Sequence, residues 1–322
     1  MLRDTLLYLS NQPRVFRFVR NSRLARHFAK RFVPGETLDD ALDVVRTLNA
    51  RGISASLDLL GESTNNEREA RAARDEYIRI LDRIHETRLD ANVSLKLTAM
   101  GLDIDQELCI AVMQDILARA QRYDTFVRID MEASAYTDVT LKMFEERFYP
   151  AYKANVGVVL QSYLYRTFAD VEHMNSLRAR VRICKGAYKE PPSVAYPEKK
   201  DVDANYVKCM RELMLKGNYP GIATHDPAMI NEAKRWAKEQ GIDKDRFEFQ
   251  MLYGIRRDLQ DSLVREGYRM RVYVPFGTQW YPYLMRRLAE RPANVAFMTG
   301  SIVKEALSGR RNGAGDPKRL SR

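Results

Sequence analysis

Residues 271–294, RVYVPFGTQWYPYLMRRLAERPAN, are the stretch of the chain from which the fold is most readily inferred. The alternating pattern over 270–274 predicts a strand, and Pro275 and Gly277 then predict a turn. A short helix follows, and Pro292 ends it. The stretch is therefore a strand followed by a helix, and it closes a series of such pairs.

The helix of this stretch, predicted from about residue 281, has one polar face. At 100° per residue, Tyr283, Arg286, Arg287 and Glu290 fall within one arc. Two neighbouring guanidinium groups can hold a carboxylate through paired hydrogen bonds, with the glutamate steadying one of them and the tyrosine beside them. The solvated face of an ordinary amphipathic helix has the same pattern, so both interpretations stand at this point.

Short apolar runs alternate with helical patterns along the rest of the chain. The predicted strands are 53–59, 92–97, 126–132, 156–161, 181–185, 221–224, 246–251 and 270–274. The predicted helices are 38–49, 66–86, 105–121, 140–152, 169–179, 203–215, 227–239, 258–267 and the helix from about 281. Such alternation predicts parallel βαβ units, and eight of them within about 250 residues match a closed (β/α)₈ TIM barrel.

An open, doubly wound parallel sheet is the competing architecture. Such sheets usually carry phosphate-binding glycines after the first strand, whereas this chain has no GxGxxG motif and only Gly61 follows its first strand. The sequence therefore predicts an α/β fold of the barrel type. We expect an N-terminal helical segment over 1–50 packed on the barrel, the barrel itself over 51–307, and a basic, disordered tail over 308–322.

The composition excludes several classes of protein. Hydrophobic residues make up 45% of the 322, no apolar run approaches the roughly 20 residues that span a bilayer, and no signal peptide opens the chain. Three cysteines without a CxxC motif favour a reducing, cytoplasmic compartment. Four scattered histidines predict no metal site, and the net charge of +10 suits phosphate-bearing ligands or an anionic surface.

Residues 1–35 form a basic segment with a pattern of its own. Seven arginines and one lysine stand against a single acid, Asp4, and four phenylalanines are interleaved with them. The segment is either an amphipathic surface for an anionic membrane or RNA, or a helix that packs its phenylalanines on the domain. In the second interpretation the arginines extend into water.

Polar residues occupy the C-terminal end of every predicted strand, where the active sites of such barrels lie. They predict a large polar ligand that contacts many strands. Lys96, Asp130 and Arg182 stand inside apolar runs, where a charge is costly unless it is paired. Lys96 and Asp130 can pair, either structurally or in catalysis. The other polar residues at these ends are Glu62, Gln161, Lys185, Thr224, His225, Asp226, Gln250 and Tyr273.

Two loops after the strands present backbone amides to an anion. KGAY (185–188) opens a loop with free amides, and Thr224 to Asp226 stand before Pro227 as the N-cap of a helix. Plain helix capping explains the second loop equally well, and His225 fits an ordinary turn histidine.

Seven short motifs follow one another along about residues 57–294. They are SLKL (94–97), RIDME (128–132), VVLQSY (158–163), RICKGAY (182–188), ATHDP (223–227), FQMLYG (249–254) and YLMRRLAERPAN (283–294). Together they resemble the proline dehydrogenase family, flavin enzymes that oxidise proline to pyrroline-5-carboxylate. The length resembles the monofunctional bacterial type, with no aldehyde dehydrogenase or DNA-binding module attached.

The resemblance implies a distorted barrel that holds FAD without a Rossmann fold. It implies that Arg286 and Arg287 hold the carboxylate of L-proline and that Glu62 pairs with an arginine to close the site. Lys96 and Asp130 match the active-site pair of the family. The residues expected around the proline ring are Tyr188, Leu252, Tyr273 and Tyr283. Those expected around FAD are Met131, Gln161, Arg182 beside the flavin N5, Lys185, Gly186, Ala187, Thr224, His225 and Gln250.

The resemblance also implies partners. Reduced FAD passes its electrons to a membrane quinone, which gives the basic segment a reason to contact the inner face of the cytoplasmic membrane. Transient contact with pyrroline-5-carboxylate dehydrogenase is expected, and nucleic acid is not. Two other classes stay open: a phosphosugar lyase with Lys96 as a Schiff-base amine, and a basic protein that binds RNA or membrane. A flavin absorption spectrum would exclude both of them.

Overall fold

We describe the fold from a computed structural model, which covers residues 31–61 and 63–290 and gives the backbone alone from 286 onward. Pro34–Thr278 form one compact unit, and residues 31–33 and 279–290 belong to a second. Most of the basic segment, Glu62 and the tail over 308–322 lie outside the described residues. The domain boundaries at residues 50 and 307 remain a prediction.

Eight parallel strands close into a barrel within Pro34–Thr278, and the predicted TIM-barrel fold is confirmed. Each strand pairs with the next one in sequence, and the last pairs with the first from Ser54 opposite Arg271 to Leu59 opposite Phe276. The strands are β1 Ser54–Leu59, β2 Ala91–Leu95, β3 Val127–Ile129, β4 Val156–Gln161, β5 Arg180–Cys184, β6 Gly221–Ala223, β7 Glu248–Leu252 and β8 Arg269–Phe276.

Helices surround the strands of this barrel and alternate with them along the chain. The α-helices are Leu38–Asn49, Glu67–Thr87, Gln106–Arg122, Thr137–Met143, Tyr149–Tyr152, Thr167–Ser176, Lys199–Lys216, Pro227–Gln240 and Arg257–Arg265; Trp280–Glu290 is a helix of the second unit. From residue 31 to residue 290, no helix described combines the length and the apolar character that a membrane crossing requires.

Local side chains explain where several helices begin. The Thr37 hydroxyl accepts a hydrogen bond from the Asp40 amide while the Asp40 carboxylate accepts one from the Thr37 amide, so the first helix has a capping box. Asn66 and Asp105 accept from backbone amides in the first turns of the next two long helices. These caps account for helix starts predicted to within one residue.

Several boundaries differ from the prediction, and the contacts of three elements show how they differ. The helix predicted over 140–152 starts at Thr137 and is interrupted by a π-helical turn over Phe144–Phe148. β3 is shorter than predicted because Gln161 Nε2 donates to the carbonyl oxygens of Met131 and Glu132, which replaces strand pairing there. β8 continues through Pro275, since pairing with β1 persists beyond it through a 2.7 Å hydrogen bond from the Leu60 amide to the Phe276 carbonyl.

The apolar core lies between the strands and the helices, while the inside of the barrel is polar. Two glycines leave room there for long side chains. A Cβ on Gly157 would lie 2.7 Å from Arg128 Nη1, and one on Gly221 would lie 2.6 Å from Gln250 Nε2. Branched apolar residues usually fill the interior of such a barrel, so this interior is specialised for charge.

Candidate active site

Asp130, directly after β3, is the centre of a buried group of hydrogen bonds. Its Oδ1 accepts from Arg182 Nη1 at 2.6 Å and from Ser94 Oγ at 2.8 Å, and its Oδ2 accepts from the Tyr273 hydroxyl at 2.7 Å. Lys96 Nζ lies 3.8 Å from Oδ2. The structure therefore brings together four residues predicted from sequence, Lys96, Asp130, Arg182 and Tyr273, and adds Ser94 to them.

The ionisation of this group follows from its surroundings. Burial alone would raise the pKa of Asp130, but the nearby cations Arg182 and Lys96 outweigh it and hold the pKa below its ordinary value. Burial raises the pKa of Tyr273 well above its ordinary value, and the charge of Asp130 acts in the same direction. At neutral pH Asp130 is thus a carboxylate that accepts, and Tyr273 is a phenol that donates.

Asp58, in β1, belongs to the same group and was not among the residues predicted from sequence. Its Oδ1 lies 3.5 Å from Lys96 Nζ, and its side chain is 4% exposed. Burial raises the pKa of Asp58; Lys96 opposes this shift, and Asp130 adds to it. Burial lowers the pKa of Lys96, but Asp58 and Asp130 outweigh this effect, so the pKa is raised. Lys96 is therefore an ammonium group shared by two carboxylates.

Arg182 also belongs to a chain of polar side chains that runs through the barrel. Its Nε donates to Gln250 Oε1 at 2.6 Å, and Gln250 Nε2 donates to Glu248 Oε1 at 2.6 Å. Arg271 Nε donates to the same oxygen of Glu248 at 2.8 Å. We call Asp130, Arg182, Gln250, Glu248 and Arg271 the polar column. It fixes the Arg182 guanidinium from two sides, with Cζ 5.4 Å from the centre of the Tyr273 ring.

A second cluster lies after β5 and β6. Lys185 Nζ lies 2.9 Å from Asp226 Oδ2 and 2.5 Å from Asp203 Oδ1. Asp226 also caps the following helix, since its Oδ1 accepts from the Ala228 amide at 3.0 Å. His225 Nε2 accepts from the Leu252 amide at 2.9 Å, so this nitrogen carries no proton. The cluster positions Lys185 and His225 through contacts that a sequence pattern does not contain.

Gln161, at the end of β4, has a buried acceptor that is not satisfied. Its Nε2 donates to two backbone carbonyls, but its Oε1 has no hydrogen-bond partner within the described ranges. A buried acceptor without a partner costs free energy, so a ligand that donates to it is favoured. Gly186, on the neighbouring loop, has a φ of +105°, and a Cβ there would lie 2.4 Å from the Tyr163 ring.

The remaining predicted residues lie at or after the ends of the strands, on the helix of the second unit, or outside the described residues. Ala187 and Tyr188 follow β5 on an exposed segment, Leu252 ends β7 and is half-buried, and buried Met131 and Thr224 follow β3 and β6. Tyr283 lies on the helix Trp280–Glu290 of the second unit. Arg286 and Arg287 are on the same helix, with their side chains outside the description, as is Glu62.

Comparisons with a family model and with known proteins indicate the same family. A family model described as "Proline dehydrogenase" matches residues 41–300. "Proline dehydrogenase 2" of Bacillus subtilis is 45% identical over 305 residues, which cover 94% of this chain and 99% of that protein. "Proline dehydrogenase" of Deinococcus radiodurans is 41% identical over 307 residues, which cover 94% of this chain and 98% of that protein.

Solved structures with the same fold include a longer protein. The crystal structure of proline utilization A from Bdellovibrio bacteriovorus, inactivated by N-propargylglycine, superposes with a TM-score of 0.78 and 26% sequence identity. The match covers 87% of this chain and 34% of that one, so this chain spans about a third of that protein.

Proposed function

Since the chain belongs to the proline dehydrogenase family, we propose that its oxidation of proline, the first step of proline breakdown, is a hydride transfer from C5 of the ring to N5 of FAD. The observation that carries the proposal is the buried Arg182 guanidinium, which Asp130 and Gln250 fix at 2.6 Å each. A cation held in place before the reaction stabilises negative charge on a reduced flavin without further reorganisation.

The residues present fit a flavin. Gln161 Oε1 is a buried acceptor without a partner among the described residues, and an isoalloxazine ring carries an imide N–H that donates. Gly186 has a positive φ, which glycine adopts without strain. The backbone of the loop after β5 can therefore approach a ligand closely. The residues that would hold FAD are Met131, Gln161, Arg182, Lys185, Gly186, Ala187, Thr224, His225 and Gln250.

Bound FAD supplies the acceptor for the hydride of proline C5 and, in this proposal, delivers the electrons to a membrane quinone. The protein contributes orientation and charge. Lys96 stays an ammonium between Asp58 and Asp130, so it acts as a fixed cation in the site. A Schiff-base lysine needs a lowered pKa and a neutral amine, whereas the pKa of Lys96 is raised. This contrast counts against a phosphosugar lyase.

The substrate contacts are proposed on the family resemblance. Arg286 and Arg287 hold the proline carboxylate as a pair, which aims the ring as well as binding it. Glu62 pairs with one of these arginines over the bound ligand. The residues that would surround the ring are Tyr188, Leu252, Tyr273 and Tyr283.

Electron transfer sets the proposed location of the protein in the cell. A quinone acceptor lies in the membrane, so the basic segment over residues 1–35 would bring the enzyme to an anionic membrane surface. A transient contact with pyrroline-5-carboxylate dehydrogenase would pass on the product. These proposals rest on the charge of the segment and on the chemistry of the reaction.

An absorption spectrum of the purified full chain tests the cofactor. We expect a flavin spectrum, release of FAD on denaturation, and bleaching of the flavin when proline is added without oxygen. L-Alanine is the control, because it has the carboxylate and amine of proline but no ring C5. A colourless protein that oxidises proline, or a flavin that proline does not reduce, would contradict the proposal.

A further inference from the structure

A cavity of about 750 Å³ opens at the N-terminal end of the barrel, opposite the strand ends that lead to Asp130. Its wall is formed mainly by residues that precede or begin four of the strands, and of these lining residues only Arg271 belongs to the polar column. We call it the floor cavity, and the residues that matter here are Arg88, Asp90, Asp124, Phe126, Arg180 and Arg271. A volume of this size is in the range of pockets for small metabolites.

Arg180 places a guanidinium group on the wall of this cavity. Its Cζ lies 4.6 Å from the centre of the Phe126 ring and 4.9 Å from that of Tyr219. The guanidinium forms no ion pair with the side chains that the structure describes, and its buried Nε has no hydrogen-bond partner among the described residues. Burial lowers the pKa of Arg180, and the nearby charge of Glu248 opposes this shift without outweighing it.

Arg128, behind the wall, adds a second cation that lacks a carboxylate partner in the described structure. Its Nη1 donates only to backbone carbonyls, those of Val158 at 3.0 Å and Arg180 at 2.5 Å. Its Cζ lies 4.7 Å from the Phe126 ring, so two guanidinium groups contact the same aromatic side chain. Burial and the charges of neighbouring arginines lower the pKa of Arg128 well below its ordinary value.

The nearest buried carboxylate does not balance these cations. Glu248 accepts from Arg271 at 2.8 Å and from Gln250 at 2.6 Å, and its other oxygen accepts from Tyr219 at 3.1 Å. Its charge is therefore already matched by that of Arg271, which leaves Arg128 and Arg180 as a surplus. An anion that entered the floor cavity would therefore be attracted by two guanidinium groups that form no ion pair with the described side chains.

The rim of the cavity carries negative charge. Asp90, Asp124 and Glu86 are exposed carboxylates there. They disfavour a polyanion but accept hydrogen bonds from hydroxyl groups. We propose that the floor cavity binds a small hydroxylated oxyanion, a phosphate ester or a hydroxycarboxylate, with its anionic group on Arg180 and its hydroxyl groups toward the rim carboxylates. Arginine is suited to both anions because its planar fork matches their oxygen atoms.

Calorimetric titration of the FAD-loaded full chain tests this site. Three probes are compared: inorganic phosphate for the shared chemistry, glycerol 3-phosphate for the phosphate ester and glycerate for the hydroxycarboxylate. We expect at least one hydroxylated probe to bind more tightly than inorganic phosphate, and Arg180→Met to weaken its binding at least tenfold. Arg79→Met is the matched control, because Arg79 is an exposed arginine on an outer helix, paired with Glu76.

Further measurements separate this site from the proline site and from simple loss of structure. The KM for proline should be unchanged in Arg180→Met, and proline should not displace the probe from the native protein. If Arg180→Met fails to fold, Arg180→Lys keeps the charge without the fork and should still weaken binding severalfold. Equal probe affinity in native and Arg180 variants, or displacement by proline, would overturn the proposal and leave the floor arginines as packing for the barrel end.

Discussion

Lys96 Nζ lies 3.5 Å from Asp58 Oδ1 and 3.8 Å from Asp130 Oδ2, so one ammonium group joins carboxylates from two different strands. The two acids differ in ionisation, because the pKa of Asp58 is raised by burial while that of Asp130 is lowered by Arg182 and Lys96 in spite of burial. Asp58 is thus the acid whose charge depends most on Lys96.

Asp58→Asn should change the pH dependence of proline oxidation. The change keeps the size of the side chain but removes one of the two charges that raise the pKa of Lys96. We therefore expect an alkaline limb of kcat/KM to move to lower pH by about one unit, equivalent to ~1.4 kcal/mol. Lys96→Met should lack this limb. An unchanged pH profile in Asp58→Asn would remove Asp58 from a positioning role.

Arg182→Met should slow reduction of the flavin by proline more than it weakens FAD binding. The guanidinium is proposed to stabilise charge that appears during the reaction, and loss of one such donor costs about 10²-fold or more in rate. Anaerobic stopped-flow absorbance gives the rate, and the FAD content of the purified variant gives the binding. Arg182→Lys is the control that keeps the charge. Unchanged reduction in Arg182→Met would contradict the proposed role.

The stability of the protein should fall at acid pH through Glu248 and Asp130. Burial raises the pKa of Glu248, but Arg271 outweighs it, so the folded pKa is lowered, as it is for Asp130. Their stabilisation is present above the unfolded pKa and is lost as pH falls through the folded pKa. Asp58 acts in the opposite sense because its folded pKa is raised. The stability that it contributes is lost as pH rises through that folded pKa.

Glu248→Gln should therefore flatten the acid side of the stability curve. It should also cost about 3–5 kcal/mol at neutral pH, because the buried Arg271 loses its counter-ion. Urea unfolding of the FAD-loaded protein at a series of pH values measures both effects. An acid limb as steep in Glu248→Gln as in the native protein would assign the pH dependence to other carboxyl groups.

Truncation of Arg286 or Arg287 should weaken proline binding by about 2–5 kcal/mol, since a desolvated carboxylate loses one of two proposed partners. Arg287→Lys should weaken proline binding more than its conserved charge implies, because an ammonium group cannot form the planar fork of hydrogen bonds. Glu62→Ala should weaken proline binding severalfold with FAD content intact. Titration with a proline analogue measures each effect. A silent Glu62→Ala variant would mean that this acid only faces water.

Replacing Arg14, Arg17 and Arg20 with Gln should affect activity with a membrane quinone and activity with a soluble dye differently. If the basic segment contacts anionic lipid, binding to vesicles and activity with a membrane quinone should fall, while activity with a soluble dye should persist. Vesicles of neutral lipid are the control. Loss of both activities together would indicate that the segment supports the folded enzyme.

The fold was accessible from sequence because its signals are local. Apolar runs, caps and glycine turns each depend on a few neighbouring residues, and they gave the strand and helix order to within a few positions. Lys96, Asp130 and Arg182 were recognised as charges inside apolar strands. The hydrogen bond between Arg182 and Gln250 was not predicted, because Gln250 lies 68 residues further along and meets Arg182 only after the barrel closes.

A period of two would have revealed more of the interior. Ser54, Ser56 and Asp58 alternate along β1, and Glu248 and Gln250 do the same on β7. Since alternate residues of a strand face the same side, this polar alternation marks the inward face of the barrel. It would have indicated Asp58 and Glu248. It would not have given the floor cavity, whose wall depends on how four strand starts meet in space.

Gly221 imposes an order on the evolutionary change that this barrel can accept. A Cβ at position 221 would lie 2.6 Å from Gln250 Nε2, so a larger residue there clashes with the side chain that holds Arg182. A larger residue at position 221 requires the Gln250 amide to shift, and this shift would disturb the hydrogen bonds that the amide makes with Arg182 and Glu248. The two positions are therefore expected to show strong epistasis, with the fitness of each substitution decided by which came first.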